Sequence, residues 1–126
     1  MAKYVDGFVL VIPKGKIEEY KKMATEGRDV WMKYGALEYF ECMGDDLEPQ
    51  AISGMEGLGF PKMTDAKSDE TVWFSFIVYK SKDHRDEVNK KVMKEMDEKY
   101  KDQKDFQMPF DMKRTAQGGF SVEVEG

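Results

Sequence analysis

The stretch 72-VWFSFIVY-79 decides the fold, because it predicts a strand that is apolar on both of its faces. Successive side chains of a strand point to opposite faces of a sheet. One face therefore carries Val72, Phe74, Phe76 and Val78, and the other carries Trp73, Ile77 and Tyr79. A sheet surface in contact with water would alternate apolar with polar residues. We therefore expect a central strand that is covered on both sides.

A second strand with two apolar faces is predicted at residues 4–12. One face carries Tyr4, Asp6, Phe8, Leu10 and Ile12, and the other carries Val5, Gly7, Val9 and Val11. Pro13 cannot donate a hydrogen bond to a neighbouring strand, so we expect this strand to end there.

Helical spacing and turn residues predict the remaining elements. These are a helix at residues 16–34 that stops at Gly35, a strand at 36–43, a helix from a cap at Ser81 to about residue 100, a charged turn at 101–105, and a strand at 114–124. The long connection at residues 44–70 contains several apolar side chains. We expect part of it to fold back onto the body or onto a partner, and residues 49–69 to be the most mobile or partner-dependent segment.

The order strand, helix, strand, strand, helix, strand is typical of an α+β fold, the ferredoxin-like βαββαβ arrangement. It predicts a four-stranded antiparallel sheet with two helices on one face, in a single domain that spans residues 1–126. Nothing in the chain is left to cover the other apolar face. We therefore infer a homodimer in which two sheets pack face to face, as in the dimeric α/β barrel superfamily.

Composition argues against two classes of partner. The net charge is -5 at pH 7, and acidic and basic residues are interleaved along the chain. A nucleic-acid groove would need a basic face, and binding to an anionic membrane surface would need a basic amphipathic helix. No apolar run approaches the roughly 20 residues of a membrane span. We expect neither nucleic acid nor membrane as a partner.

The single cysteine and the single histidine limit the kinds of site that the chain can form. The lone Cys42 has no partner for an internal disulfide, which is typical of a cytoplasmic protein, and the strand that begins near Tyr4 leaves no room for a signal peptide. The lone His84 excludes a site built from several histidines of one chain. We expect no metal and no cofactor.

Several short motifs occur in order along most of the chain. They are Tyr4-Val5-Asp6-Gly7-Phe8, Gly35-Ala36-Leu37, Glu41-Cys42 with Gly44-Asp45-Asp46, Arg85-Asp86, Met108-Pro109-Phe110-Asp111 with Lys113-Arg114, and Gly118-Gly119-Phe120. Together they resemble the YbaA-like family of small bacterial proteins of unknown function. The resemblance implies a dimeric α/β barrel, and it implies no particular activity.

Asp6 and Arg85 are the first candidate pair for a site. Asp6 lies among apolar residues on its strand, and a buried carboxylate needs a partner. Arg85 shares the apolar stripe of its helix with Val88 and Val92, so we expect it to pair with Asp6 or Glu41, or as a third choice with Asp111. Such a pair either grips an anionic or carbonyl substrate or holds the helix to the sheet; we favour the structural alternative.

Asp111 and Arg114 form a second candidate pair, which either binds a ligand or closes the turn into the last strand. The full set of candidate ligand-binding residues is Asp6, Glu41, Arg85, Asp111 and Arg114. His84 is a possible general base, although an exposed histidine at a helix start is commoner. Gly118 and Gly119 predict a bulge or a close approach of another group to the backbone.

Three functions remain open. The first is a homodimer that binds a small molecule in a cavity between sheet and helices. The alternative is a cofactor-independent enzyme of the monooxygenase or isomerase type, for which Asp6, Glu41, His84 and Asp111 are the candidate acids and bases. The third is a module that only mediates interactions. The sequence leaves open whether the protein is an enzyme.

Overall fold

A computed structural model describes residues 2–103 and 107–126. Part of the predicted charged turn at residues 101–105 therefore lies outside the described residues. The strands are β1 (Tyr4–Pro13), β2 (Glu38–Met43), β3 (Glu70–Tyr79) and β4 (Ala116–Ser121), and the helices are α1 (Ile17–Lys33), α2 (Phe60–Thr64) and α3 (Lys82–Tyr100). Short 3₁₀ turns at Lys14–Lys16 and Met112–Arg114 precede α1 and β4.

The four strands form one antiparallel sheet in the order β2-β3-β1-β4. This is the ferredoxin-like arrangement that the sequence predicts. The two most apolar strands, β1 and β3, are the central strands of the sheet. Within one chain the sheet is open at the β2 and β4 edges and does not close into a barrel.

Local sequence sets the limits of both long helices. Gly35 follows α1 with φ of 106°, a left-handed conformation that glycine adopts at little cost. The Ser81 side chain accepts a hydrogen bond of 3.1 Å from the backbone N–H of His84, which caps α3 as predicted. Both helices pack on one side of the sheet, which we call the helix face.

The core lies between the helices and the helix face. One cluster centres on Ile77 and Tyr79 of β3 with Val88 and Val92 of α3, and a second joins Leu10, Ile12 and Trp73 to Tyr20 and Ala24 of α1. Burying these side chains supplies the main stabilising free energy, at about 25 cal/mol for each Å² of apolar surface removed from water.

The opposite side of the sheet, which we call the open face, is apolar and only partly covered. It carries Val5, Gly7, Val9, Val11, Glu38, Phe40, Cys42, Val72, Phe74, Phe76, Val78, Ala116, Gly118 and Phe120, as the strand registers show. Phe74 is 47% exposed and Phe120 is 61% exposed. These side chains border an apolar recess of about 590 Å³.

The connection between β2 and β3 covers one end of the open face. Leu47 and Phe60 line a cavity together with Val72 and Phe74, so part of the connection folds back onto the body as predicted. Other apolar side chains of this connection point into water, namely Ile52, Met55, Leu58 and Met63. They extend the apolar surface beyond the sheet itself.

Candidate functional site

Two groups of polar side chains lie between the sheet and the helices. The Asp6 cluster consists of Asp6, Arg85 and Asn89, together with the indole N–H of Trp31 and the hydroxyl group of Tyr79. The Glu41 cluster consists of Glu41, Tyr20, Tyr39 and Ser75. Each is built around one carboxylate on the helix face, and the two differ in the groups that hydrogen-bond to that carboxylate.

An ion pair forms the centre of the Asp6 cluster. Arg85 Nη1 donates to Asp6 Oδ1 at 2.6 Å, and Arg85 Nε donates to Asp86 at 2.7 Å. Asp6 is 6% exposed, and the Arg85 side chain is 19% exposed. The predicted pairing of Arg85 with Asp6 is therefore confirmed.

Asn89 completes the cluster one helical turn after Arg85. Its amide nitrogen donates to Asp6 Oδ2 at 3.4 Å, and its amide oxygen accepts from Trp31 Nε1 and the Tyr79 hydroxyl, each at 3.0 Å. Residues four apart lie on the same face of a helix, which places both side chains over Asp6. Both carboxylate oxygens of Asp6 are thereby hydrogen-bonded within the protein.

The Arg85 guanidinium also stacks 4.8 Å from the centre of the Tyr4 ring. Burial lowers the pKa of Arg85, but the hydrogen bond with Asp86 and the charge of Asp6 outweigh it and leave this pKa above its usual value. A Cβ atom at Gly119 would collide with the Tyr4 ring. The close approach predicted for the Gly118-Gly119 pair is thus confirmed at Gly119, because only glycine leaves room for Tyr4.

Glu41 is held by three hydroxyl groups rather than by a cation. Tyr20 and Ser75 donate to Oε1, the former at 2.7 Å, and Tyr39 donates to Oε2 at 2.7 Å. Alternation along β2 puts Tyr39 and Glu41 on the helix face, and the register puts Ser75 directly beside Glu41. The buried stripe of α1 supplies Tyr20.

The two tyrosines of this cluster are fixed as hydrogen-bond donors. Burial, followed by the charge of Glu41 and the hydrogen bond to it, raises the pKa of both Tyr20 and Tyr39 well above the usual value of 10.0. An ionised phenol beside this carboxylate would place two negative charges together in a partly buried site. Both phenols therefore remain protonated at neutral pH.

Gly27 of α1 leaves room for the Tyr39 side chain beside the helix. A Cβ atom at residue 27 would lie 3.2 Å from the Tyr39 hydroxyl oxygen, closer than such contacts normally are. The glycine therefore lets the phenol reach under the helix toward Glu41.

A cavity of about 470 Å³ opens over Glu41 between α1 and β2. Its lining combines apolar surface with two cations, and consists of Ile17, Lys21, Ala24, Thr25, Arg28, Tyr39, Phe40, Glu41, Met43 and Trp73. The volume falls within the range of about 300–1,000 Å³ that is usual for small-molecule sites. The recess beside Asp6 is smaller, at about 260 Å³.

The Asp111 and Arg114 side chains form no ion pair with each other in the described part of the chain, but the backbone N–H of Arg114 donates to the Asp111 carbonyl oxygen at 3.0 Å, so the two residues close the turn through the main chain. The Asp111 side chain accepts from the backbone N–H of Lys113 at 2.9 Å, and it caps the 3₁₀ turn. Arg114 instead binds Glu70 through two hydrogen bonds of 2.6 and 3.1 Å, and it donates to the Asp65 carbonyl. Among the described residues, neither joins the cavities beside Asp6 or Glu41.

His84 has a local role at the start of α3. Its Nδ1 atom accepts a hydrogen bond of 3.0 Å from the backbone N–H of Lys80, and its ring packs edge-on against Tyr79. It does not line either cavity in the described part of the chain.

Sequence reasoning missed Asn89 and the hydroxyl partners of Glu41. The spacing of four between Arg85 and Asn89 was a usable signal, as was the spacing of two between Tyr39 and Glu41. Within residues 2–103 and 107–126, no group of three or more His, Cys, Asp or Glu side chains is placed to hold a metal ion. In the same residues, no helix is long and apolar enough to cross a bilayer.

Comparison with solved structures shows that other proteins have the same fold. Two solved structures share the fold, both dimeric ferredoxin-like proteins from uncultured marine organisms. The first has a TM-score of 0.59 at 10% identity and covers 100% of both chains, and the second has a TM-score of 0.57 at 11% identity and covers 100% of this chain and 98% of the other.

Sequence matches are stronger than the structural ones. The uncharacterized protein YbaA of Escherichia coli K12 is 37% identical over 123 residues, which cover 98% of each chain, and the YbaA protein of Shigella flexneri matches to the same extent. The model of a family described as protein of unknown function, DUF1428, matches residues 3–112. The chain therefore belongs to the DUF1428 family, and YbaA is among its relatives.

Proposed function

We propose that the protein is a homodimer whose protomers each bind a small organic molecule in the cavity over Glu41. The observation that carries the binding proposal is a carboxylate held by three hydroxyl groups at the wall of a 470 Å³ cavity. Ligand sites typically combine an apolar wall with a few fixed polar groups. This cavity has both.

The Asp6 cluster is the weaker candidate for binding. Its carboxylate, guanidinium and amide already satisfy one another. A ligand that used Asp6 or Arg85 would have to break a charge-assisted hydrogen bond, which is among the stronger types. We propose that this cluster instead ties α3 to β1.

The open face supports the proposed homodimer. Monomeric proteins rarely expose a contiguous apolar patch of more than a few hundred Å². Here aromatic side chains of three strands stay exposed, and exposed Met and Ile residues of the β2–β3 connection lie beyond them. The two solved structures with this fold are described as dimeric. A second copy of the chain fits this face, because its own open face presents the same apolar surface.

The binding proposal is tested with a library of small polar molecules and thermal unfolding of the purified protein. A ligand at a hundred times its Kd should stabilise the folded state by about 2.7 kcal/mol. Thr25→Trp, at the exposed mouth of the cavity, should abolish the response. Lys22→Trp, on the same helix outside this cavity, should leave it unchanged. A library without any response, or responses that survive Thr25→Trp, would contradict the proposal.

Sedimentation at micromolar concentration tests the homodimer. The unmodified protein should sediment as a dimer. Phe74→Glu should give a folded monomer, because a charge on the open face cannot be buried without a partner. Met32→Glu, a matched change at a half-exposed position of α1, should leave the dimer intact. A dimeric Phe74→Glu variant would place the contact elsewhere.

A cofactor-independent enzyme is the second candidate function. It is favoured by the presence of a carboxylate and two protonated phenols in hydrogen-bond contact, since acid–base chemistry needs positioned proton carriers. Mass spectrometry of any bound ligand after incubation with the protein distinguishes the two functions. Conversion that Glu41→Gln abolishes would establish the enzyme.

We also propose a cytoplasmic location with no nucleic-acid partner. A free cysteine exposed on the open face suits a reducing compartment. The net charge of -5 disfavours binding to phosphate backbones.

A further inference from the structure

We propose that the Glu41 cavity takes a compact zwitterion of the amino-acid type, whose ammonium group binds Glu41 and whose carboxylate faces Lys21 and Arg28. This inference rests on the ligand-binding function proposed above and adds the chemical class of the ligand. It follows from the unused acceptor of Glu41, the cations of the cavity wall, and the apolar side chains that line the same cavity.

Glu41 lines the cavity and keeps an unused acceptor position. A carboxylate accepts about four hydrogen bonds. Tyr20 and Ser75, which do not line the cavity, occupy Oε1, whereas Oε2 accepts only from Tyr39 among the described residues. Oε2 therefore keeps an unused acceptor position, and Glu41 itself lines the cavity.

The charge of Glu41 lacks a counter-charge within the described part of the chain. Its three partners are neutral hydroxyl groups, and the two cations of the cavity wall pair elsewhere. Lys21 lies 3.8 Å from Glu18, and Arg28 lies 2.9 Å from Asp29. A partly buried carboxylate without a cation is costly, so a ligand ammonium group is the donor that gains most from this position.

Lys21 and Arg28 line the same cavity as Glu41 and supply its positive charge. Both side chains are more than half exposed, and their present ion pairs with neighbours on the same helix are weak. They are free to turn toward an anionic group of a bound molecule. Arg28 presents a planar fork that matches a carboxylate.

The lining of this cavity also includes apolar side chains, namely Ile17, Ala24, Met43 and Trp73. It suits an aliphatic or aromatic side chain on the carbon that carries the two charged groups. A ligand with only one charge would leave either Glu41 or the cations without a partner.

Three probes of nearly equal shape test this assignment by calorimetric titration. Phenylalanine carries both charged groups, phenethylamine carries only the ammonium group, and 3-phenylpropanoate carries only the carboxylate. We expect phenylalanine to bind at least tenfold more tightly than either of the others. Each deletion removes one ion pair while the apolar contact stays the same.

Variants assign each charge to its partner. Glu41→Gln should weaken phenylalanine and phenethylamine about tenfold and leave 3-phenylpropanoate unchanged. Lys21→Gln combined with Arg28→Gln should weaken phenylalanine and 3-phenylpropanoate and leave phenethylamine unchanged. Lys22→Gln, which removes a neighbouring charge outside this cavity, should alter none of them.

Failure of this inference is distinguishable from failure of the binding function. The zwitterion proposal is wrong if the three probes bind with equal affinity. It is also wrong if none of them binds at millimolar concentration while library molecules still bind in the cavity. In both cases the proposed binding function remains supported. If no library molecule binds either, both proposals fail.

Discussion

Asp6 and Glu41 are carboxylates on the same face of the same sheet, yet their surroundings differ in kind. Asp6 faces a guanidinium and an amide that occupy both of its oxygens, beside a recess of about 260 Å³. Glu41 faces three neutral hydroxyl groups and a cavity of about 470 Å³. The first carboxylate is paired with a cation inside the fold, whereas the second has no cation among its described partners and keeps an unused acceptor position.

We propose that this difference separates a cluster that holds the fold together from a cluster that binds a ligand. A buried charge pair fixes the position of two elements, because removing one member strands the other. Hydroxyl donors fix the position of a carboxylate without cancelling its charge. The comparison predicts that mutations in the Asp6 cluster mainly change stability and that mutations in the Glu41 cluster mainly change binding.

Arg85→Met should have the largest effect on stability. It leaves the Asp6 carboxylate buried without a cation, which typically costs about 3–5 kcal/mol. Chemical denaturation measures the change. The further change Asp6→Leu should restore part of the lost stability, and Arg28→Met, which breaks an exposed pair, should cost less than about 1 kcal/mol. If Arg85→Met leaves the free energy of unfolding unchanged, the Asp6 cluster does not hold the fold together.

Alkaline unfolding should report the phenols around Glu41. The folded pKa values of Tyr20 and Tyr39 lie above the usual value of 10.0, so native protein keeps protons that the unfolded chain releases. Their contribution to stability is complete below about pH 10 and is lost as the pH rises above it, by about 1.4 kcal/mol per pH unit for each phenol.

Denaturation at several pH values between 9 and 12 measures this slope. Tyr39→Phe should reduce the slope by the share of one phenol. Ser75→Ala, which removes a hydroxyl partner of Glu41 but no phenol, should retain it. If Tyr39→Phe leaves the slope unchanged, the phenol does not resist ionisation in the folded protein.

Glu41→Gln should have the smallest effect on stability. The glutamine side chain keeps one carbonyl oxygen as an acceptor for the hydroxyl groups, so we expect a loss of only about 1 kcal/mol. Ligand responses in the cavity should nevertheless fall sharply, because the charge is gone. A loss as large as that of Arg85→Met would show that Glu41 also serves mainly to hold the fold together.

Patterns within single elements predicted the fold and one of the two clusters. Alternation in β1 and β3, the stop at Gly35 and the cap at Ser81 define the architecture without long-range information. The pairing of Arg85 with Asp6 followed from helical spacing, since the stripe of α3 must face the sheet. The structural or ligand-binding role of that pair stays a prediction.

Contacts set by strand register were not predictable in the same way. The Glu41 cluster draws side chains from α1, β2 and β3, and only the register of β2 against β3 brings Ser75 to Glu41. Arg114 was assigned to Asp111 because they are close in the sequence. The folded chain instead brings Glu70 to Arg114, and the Asp111 side chain is used by the backbone of Lys113.

Gly27 shows what the arrangement around Glu41 requires of the helix beside it. A glycine inside a helix lowers stability by roughly 0.5–1 kcal/mol relative to alanine. Alanine at this position would press its methyl group against the Tyr39 hydroxyl. The chain thus keeps a weaker helix at a position where alanine would require the Tyr39 hydroxyl group to move by a few tenths of an ångström from its place beside Glu41.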